Sequence, residues 1–154
     1  MIKPALYKNE TATPPDFWER QYDSLDDIWI ELHRIQTDFC FGSEIGCYLR
    51  FPNWHSAKTV ADIGTGSGYY LYGLQSVFPD KQYTGIDINN TFIEHARTNY
   101  GTSSIDFQSS DLFSYAGEFD FLIIRLVFQH LSSPTNALDK IVDLLKPGGS
   151  AFVI

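Results

Sequence analysis

Along the chain the apolar positions follow two rhythms, and the change falls near residue 55. Before it they recur every three or four residues. Ser24 and Asp27 form a capping box, and Leu25, Ile28, Trp29, Leu32, Ile35 and Phe39 then mark one helical stripe. Pro14 and Pro15 after Thr13 suit an earlier helix start, with DFWERQY following. A third short helix is expected over 43–49, and Phe51-Pro52 breaks the pattern, because the residue before a proline avoids helical backbone.

From Thr59 onward short apolar runs alternate with amphipathic ones. TVADI, QYTGIDI, SIDFQS, FDFLIIRLV and SAFVI read as five strands, the fourth apolar almost throughout, as strands buried on both faces are. Helices are expected from the glycine loop to about Val77, over 90–98, and from Ser133-Pro134 to Leu145, where Pro147-Gly148-Gly149 stops the last one. This alternation predicts an α/β fold with a doubly wound parallel sheet. It divides the chain into an N-terminal helical extension or lid over 1–55 and a core over 56–154.

Composition narrows the class. At 154 residues and 44% hydrophobic the chain can build one core and little more. A net charge of −8 repels polyanions on average, so nucleic acid is not expected as a partner. No run is long enough for a membrane span, and the first residues lack the apolar centre of a secretion signal, which predicts a cytoplasmic protein with no membrane partner. Cys40 and Cys47 are expected as free thiols on helical segments; no metal-ligating cluster accompanies them, so no metal is expected.

Candidate chemistry concentrates in VADIGTGSGYYL. Three glycines at 64, 66 and 68 at the end of the first strand imply a sharp turn that lets a ligand approach the backbone, with a helix N-terminus behind it. A dinucleotide site wants G-x-G-x-x-G, but Tyr69 stands three past Gly66. Asp62 just before the loop disfavours a pyrophosphate and suits a cationic group, which points to a nucleoside carrying an ammonium and no phosphate. Asp87, closing the second strand in GIDIN, can accept both hydroxyls of a ribose; the competing role is a cap for the following helix, which Asn89 or Asn90 can also fill. Asp111 in SSDLF can accept from an exocyclic adenine amine with the Leu112 amide on a ring nitrogen, or can serve as a turn residue.

Taken in order, DIGTGSG, GIDIN, SSDLF, FDFLIIRLVFQHL and LLKPGGSAFVI resemble the motif series of class I S-adenosylmethionine (SAM)-dependent methyltransferases, over about residues 57–154. The resemblance implies a Rossmann-like core of strand order 3-2-1-4-5. It implies SAM as cofactor and S-adenosylhomocysteine (SAH) as product. Gly64, Thr65, Gly66, Gly68 and Arg125 would surround the methionine part, with Asp62 at the amino group. Asp87 and Ile88 would meet the ribose side, and Asp111 with Leu112 the adenine. The segment RLVFQHL with KPGG is most similar to small-molecule methyltransferases of the ubiquinone-biosynthesis-like kind.

Two departures qualify what the resemblance implies. The NPPY-type motif of DNA amino methylases is replaced by Arg125-Leu126-Val127-Phe128. The usual C-terminal strands 6 and 7 are missing from this sequence, which predicts either a fragment or a homodimer paired through the strand 5 edge. Methyl transfer needs positioning more than a base. His130 is the candidate base, against a structural histidine in a turn. Tyr22 and Trp18 are candidates for an aromatic lid over the sulfonium, while Trp29, on the apolar stripe, is read as core. Arg20 could meet a carboxylate or remain a solvated helix charge. The expected function is methyl transfer to a small-molecule acceptor. The alternatives are a SAM-binding protein or truncated domain without transferase activity, and a nicotinamide oxidoreductase.

Overall fold

The chain builds a five-stranded parallel sheet of order β3-β2-β1-β4-β5, with β1 at Thr59–Ile63, β2 at Gln82–Asp87, β3 at Ile105–Ser109, β4 at Phe119–Ile124 and β5 at Leu145–Val153. The computed structural model describes residues 21–154. Four α-helices flank the sheet: α1 (Leu25–Tyr48), α2 (Tyr69–Val77), α3 (Asn90–Tyr100) and α4 (Pro134–Asp143). The expected doubly wound architecture and strand order are both observed. Because β1 pairs with β2 on one side and β4 on the other, the order reverses at the carboxyl end of β1. In such sheets a crevice opens at that point.

Alternation along the strands explains why the sheet is covered on both faces. Val60, Phe121 and Ile123 face one core, shared with Tyr70, Leu71 and Leu74 of α2 and with Phe41, Ile45 and Tyr48 of α1. Ala61, Ile63, Leu122 and Ile124 face the other, where Ala137 and Ile141 of α4 pack. Asp62, in step with Val60, is therefore carried on the α1 side of the sheet. At the opposite end of the strands Asp120 Oδ2 accepts from the Lys58 and Thr59 amides at 2.9 and 2.8 Å, and ties β1 to β4.

Three expectations are corrected. First, α1 is one helix of 24 residues, with no break before residue 43. Its buried positions are Ile35, Thr37, Phe41, Glu44, Ile45 and Tyr48, whereas Leu25, Trp29 and Phe39 of the expected stripe are exposed. The second half of α1 supplies Phe41, Ile45 and Tyr48 to the core, while Leu25, Trp29, His33 and Thr37 of the remainder line the crevice. Second, Pro147-Gly148-Gly149 does not separate helix from strand. β5 begins at Leu145, and its pairing with β4 jumps from Phe119↔Leu145 to Phe121↔Ser150 across a bulge in which Gly148 takes φ 82°. Third, β4 stops at Ile124, two residues before Leu126 turns left-handed at φ 56°. Among the described residues no helix is long and apolar enough to cross a membrane, and Cys40 and Cys47 are free, both on α1.

Candidate functional site

All three loop glycines adopt backbone that side chains resist: φ is 73° at Gly64, 55° at Gly66 and 79° at Gly68. The loop amides are then accounted for one by one. Those of Gly64 and Thr65 both donate to Ile86 O, at 2.7 and 3.0 Å, and that of Gly68 donates to Thr65 O at 3.2 Å. The Gly66 amide donates to Asp87 Oδ2 at 2.8 Å, and the Ser67 amide to His33 Nδ1 at 3.3 Å. Every amide from 64 to 68 is thus satisfied within the chain. A pyrophosphate held at a helix N-terminus requires several of these donors to be free. The loop is built for close approach by a ligand that does not need them.

Gly68 has a different role from the one expected. It does not line the crevice, and a Cβ there would lie 2.6 Å from Ala96 Cβ and 2.7 Å from Phe107 Cζ. It sets the distance of α2 from α3 and β3. At Gly66 the added atom would meet the His33 ring, 2.6 Å from Nδ1 and Cε1.

Asp87 closes β2 and faces back onto the loop. Its Oδ2 takes the Gly66 amide, its Oδ1 takes the Asn89 amide at 2.9 Å, and each oxygen keeps a lone pair. The cap of α3 is Asn89, whose Oδ1 accepts from Thr91 and Phe92. Asp87 is therefore not occupied as a helix cap.

Asp62 lies beneath the loop rather than in the crevice wall, fully buried, and neither carboxylate oxygen has a hydrogen-bond partner. Burial pushes its carboxyl up to about 6, against the pull of the nearby Arg125 guanidinium and of the Thr65 hydroxyl, which lies close enough to favour the carboxylate though outside good hydrogen-bond geometry. Arg125 follows β4. Its Nη1 is 3.4 Å from Glu44 Oε2 on α1, and its guanidinium lies 3.5 Å from the centre of the Tyr70 ring. Tyr70 is fixed in turn by a buried hydroxyl–hydroxyl hydrogen bond to Tyr48. Two buried carboxylates share one guanidinium here, so the floor beneath the crevice carries an excess of negative charge. That charge favours a cationic group in the crevice above it.

Around this floor a crevice of about 970 Å³ brings together Gly64, Thr65, Gly66, Asp87, Ile88, Asp111, Leu112, Arg125 and His130. It lies at the large end of the range for ligand pockets. Asp111 also opens a turn, since its main-chain oxygen accepts from Ser114 and Tyr115. His130 sits at the mouth in a short 3-10 turn, its Nε2 3.2 Å from Gln129 Nε2. Tyr22 is described but does not line the crevice, so it is not placed as a lid; Trp18 and Arg20 lie outside the described residues. Tyr69 and Tyr70 are both buried, and Tyr70 lines the crevice. Among the described residues no group of three His, Cys, Asp or Glu side chains could hold a metal ion.

Four participants escaped the sequence reading. Trp29, taken there as core, is 51% exposed and lines the crevice. His33 and Glu44 come from the same helix, and Leu126, left-handed and 53% exposed, forms part of the rim. The four-residue spacing of Trp29, His33 and Thr37 marks one helix face, but nothing local says that this face meets the glycine loop.

A profile of the family described as "Methyltransferase domain" matches residues 61–153. The chain is 30% identical to a tRNA U34 carboxymethyltransferase of Campylobacter concisus, over 98% of this chain and 51% of that protein. It is also 30% identical to a malonyl-(acyl-carrier protein) O-methyltransferase of Acetivibrio thermocellus, over 61% of this chain and 34% of that one. The chain thus spans about half the length of the first relative and about a third of the second. Among solved structures, the plantazolicin methyltransferase BpumL, in complex with SAH and a desmethylPZN analog, is similar with a TM-score of 0.58 at 23% identity, covering 63% of this chain and 38% of that one. At that identity the likeness is one of fold.

Proposed function

The chain belongs to the methyltransferase domain family, of the class I SAM-dependent kind, and we propose that its crevice binds SAM and directs the methyl group to a small-molecule acceptor. One observation carries the cofactor reading. Every amide of the glycine loop is already taken, while the buried Asp62 carboxylate is only partly compensated, by Arg125 and the nearby Thr65 hydroxyl. This is the inverse of what a nicotinamide dinucleotide asks for and suits a nucleoside with an amino-acid ammonium. The SAH bound in the BpumL structure supports the choice of nucleoside.

SAM supplies a methyl group already activated on a sulfonium, ready for in-line displacement. The chain's own part is then to bind, orient and exclude water. Asp87 would hold the ribose hydroxyls with the lone pairs left after its two amides. Ile88 would lie on the ribose side, and the Leu112 amide would meet a ring nitrogen of the base, with the Asp111 carboxylate at its exocyclic amine. Asp62, beneath the loop, would attract the ammonium from below or through water, and Arg125, held by Glu44 and Tyr70, would stand at the methionine end. His130 would take a proton from the acceptor where one must leave.

A small acceptor, rather than RNA, is favoured by charge. The crevice is lined by Asp26, Asp87 and Asp111, and its one lining Arg or Lys among the described residues, Arg125, already faces Glu44. A polyanion would meet repulsion at the mouth. The test is transfer of a labelled methyl group from SAM with small carboxylate and phenolic acceptors in one set and bulk tRNA in another. Label in the small-molecule fraction supports the reading. Label in tRNA overturns the acceptor class, and tight SAH binding without transfer to any acceptor would assign a SAM-binding role instead.

A further inference from the structure

Helix α1 reaches the glycine loop through one hydrogen bond among the described residues, from the Ser67 amide to His33 Nδ1. The imidazole lies so close to Gly66 that a Cβ there would sit 2.6 Å from Nδ1. Its other side is held by Phe92 of α3, edge-on at 5.2 Å, and by Trp29 one turn earlier at 6.2 Å. Three elements therefore fix one ring in one orientation. An Nδ1 that accepts carries no proton, so the neutral ring carries its proton on Nε2. Burial favours that neutral form by lowering the His33 pKa; Asp87 acts to raise it and Arg125 to lower it further. Nε2 has no hydrogen-bond partner among the described residues, and His33 lines the crevice.

We propose that His33 is a cofactor-positioning residue, its Nδ1 holding the Gly66–Ser67 turn in shape and its Nε2–H donating to an oxygen of the bound cofactor. This rests on the SAM reading above. The two halves of the role are separable. With Nδ1 removed, the Ser67 amide at the N-terminal end of α2 loses its acceptor and the loop loosens. With only the Nε2 donor removed, the loop keeps its shape and the cofactor loses one contact. Because the ring is neutral, it adds no positive charge to the crevice, which a lysine or arginine at this position would do.

Two variants and two readouts test it on the whole chain. Amide hydrogen exchange at Ser67 is measured without cofactor, and SAH affinity is measured by calorimetry. In His33→Ala the Ser67 amide is expected to exchange at least tenfold faster and SAH to bind at least tenfold more weakly. In His33→Asn, whose side-chain oxygen can stand near the place of Nδ1, slow exchange should return while affinity recovers only in part. A His33→Ala protein that binds SAH as the wild type does, or more tightly, overturns this inference alone; tighter binding would mean the ring obstructs the site. Failure of the wild type to bind SAH overturns the cofactor reading and this inference with it. Should the alanine variant not fold, His33→Asn decides, because full wild-type affinity there removes the donor role.

Discussion

The Asp87 carboxylate accepts the Gly66 amide at 2.8 Å, so the residue that ends β2 shapes the loop that follows β1. The same oxygens keep lone pairs for a ribose, and the cap of α3 is supplied by Asn89. Asp87→Ala should therefore weaken SAH binding by about 1.5–3 kcal/mol, the range for hydrogen bonds to a charged group. That is roughly ten- to a hundredfold in Kd. Circular dichroism should show the fold retained. Calorimetry giving wild-type affinity would leave Asp87 only its loop-shaping role.

Asp62 links stability to pH. Its carboxyl is raised from 3.8 to about 6 by burial, so between those values the folded chain binds more protons than the unfolded one. Unfolding free energy then falls as pH rises from about 4 to about 6, by about 3 kcal/mol from this group. Asp62→Asn should remove that slope. Urea titrations should find the cofactor-free variant close to wild type near pH 4 and more stable above pH 6, while SAH binds it less well. Stability curves that run parallel across this range would show that Asp62 is not the uncompensated charge.

The loop glycines should divide by what lies against them. Gly68→Ala drives a methyl into Ala96 and Phe107 at φ 79°. A loss of about 2–4 kcal/mol is expected from overpacking and left-handed strain together. At Gly66 the obstacle is the His33 ring, which lines the crevice, so Gly66→Ala should displace that ring and its hydrogen bond to Ser67 as well as strain the turn, costing cofactor affinity along with stability. Denaturation midpoints of the two variants, set beside their SAH affinities, check the division.

What could be read in the sequence was what depends on short spacing. Parallel strands write their burial as apolar runs, and Gly64, Gly66 and Asp87 sit where a strand must end and a chain must turn. Nine of the residues expected at the site do line one crevice: Gly64, Thr65, Gly66, Asp87, Ile88, Asp111, Leu112, Arg125 and His130. What escaped depends on how α1 lies across the sheet. The pattern of α1 fitted a core stripe through Trp29 and Phe39, yet the helix is amphipathic toward two environments, an open crevice in its first half and a packed core in its second. Gly68 and Asp62 were found, but whether each touches ligand or neighbour is a matter of depth, and depth is set by tertiary packing.

The loop and Asp62 should together select a phosphate-free, ammonium-bearing nucleoside. Titrating the wild-type chain with SAH and with NADH in one calorimeter, under the same buffer, checks this. Saturable binding of SAH with no heat of binding from NADH is predicted. Equal affinity for the two, or binding of NADH alone, would contradict it.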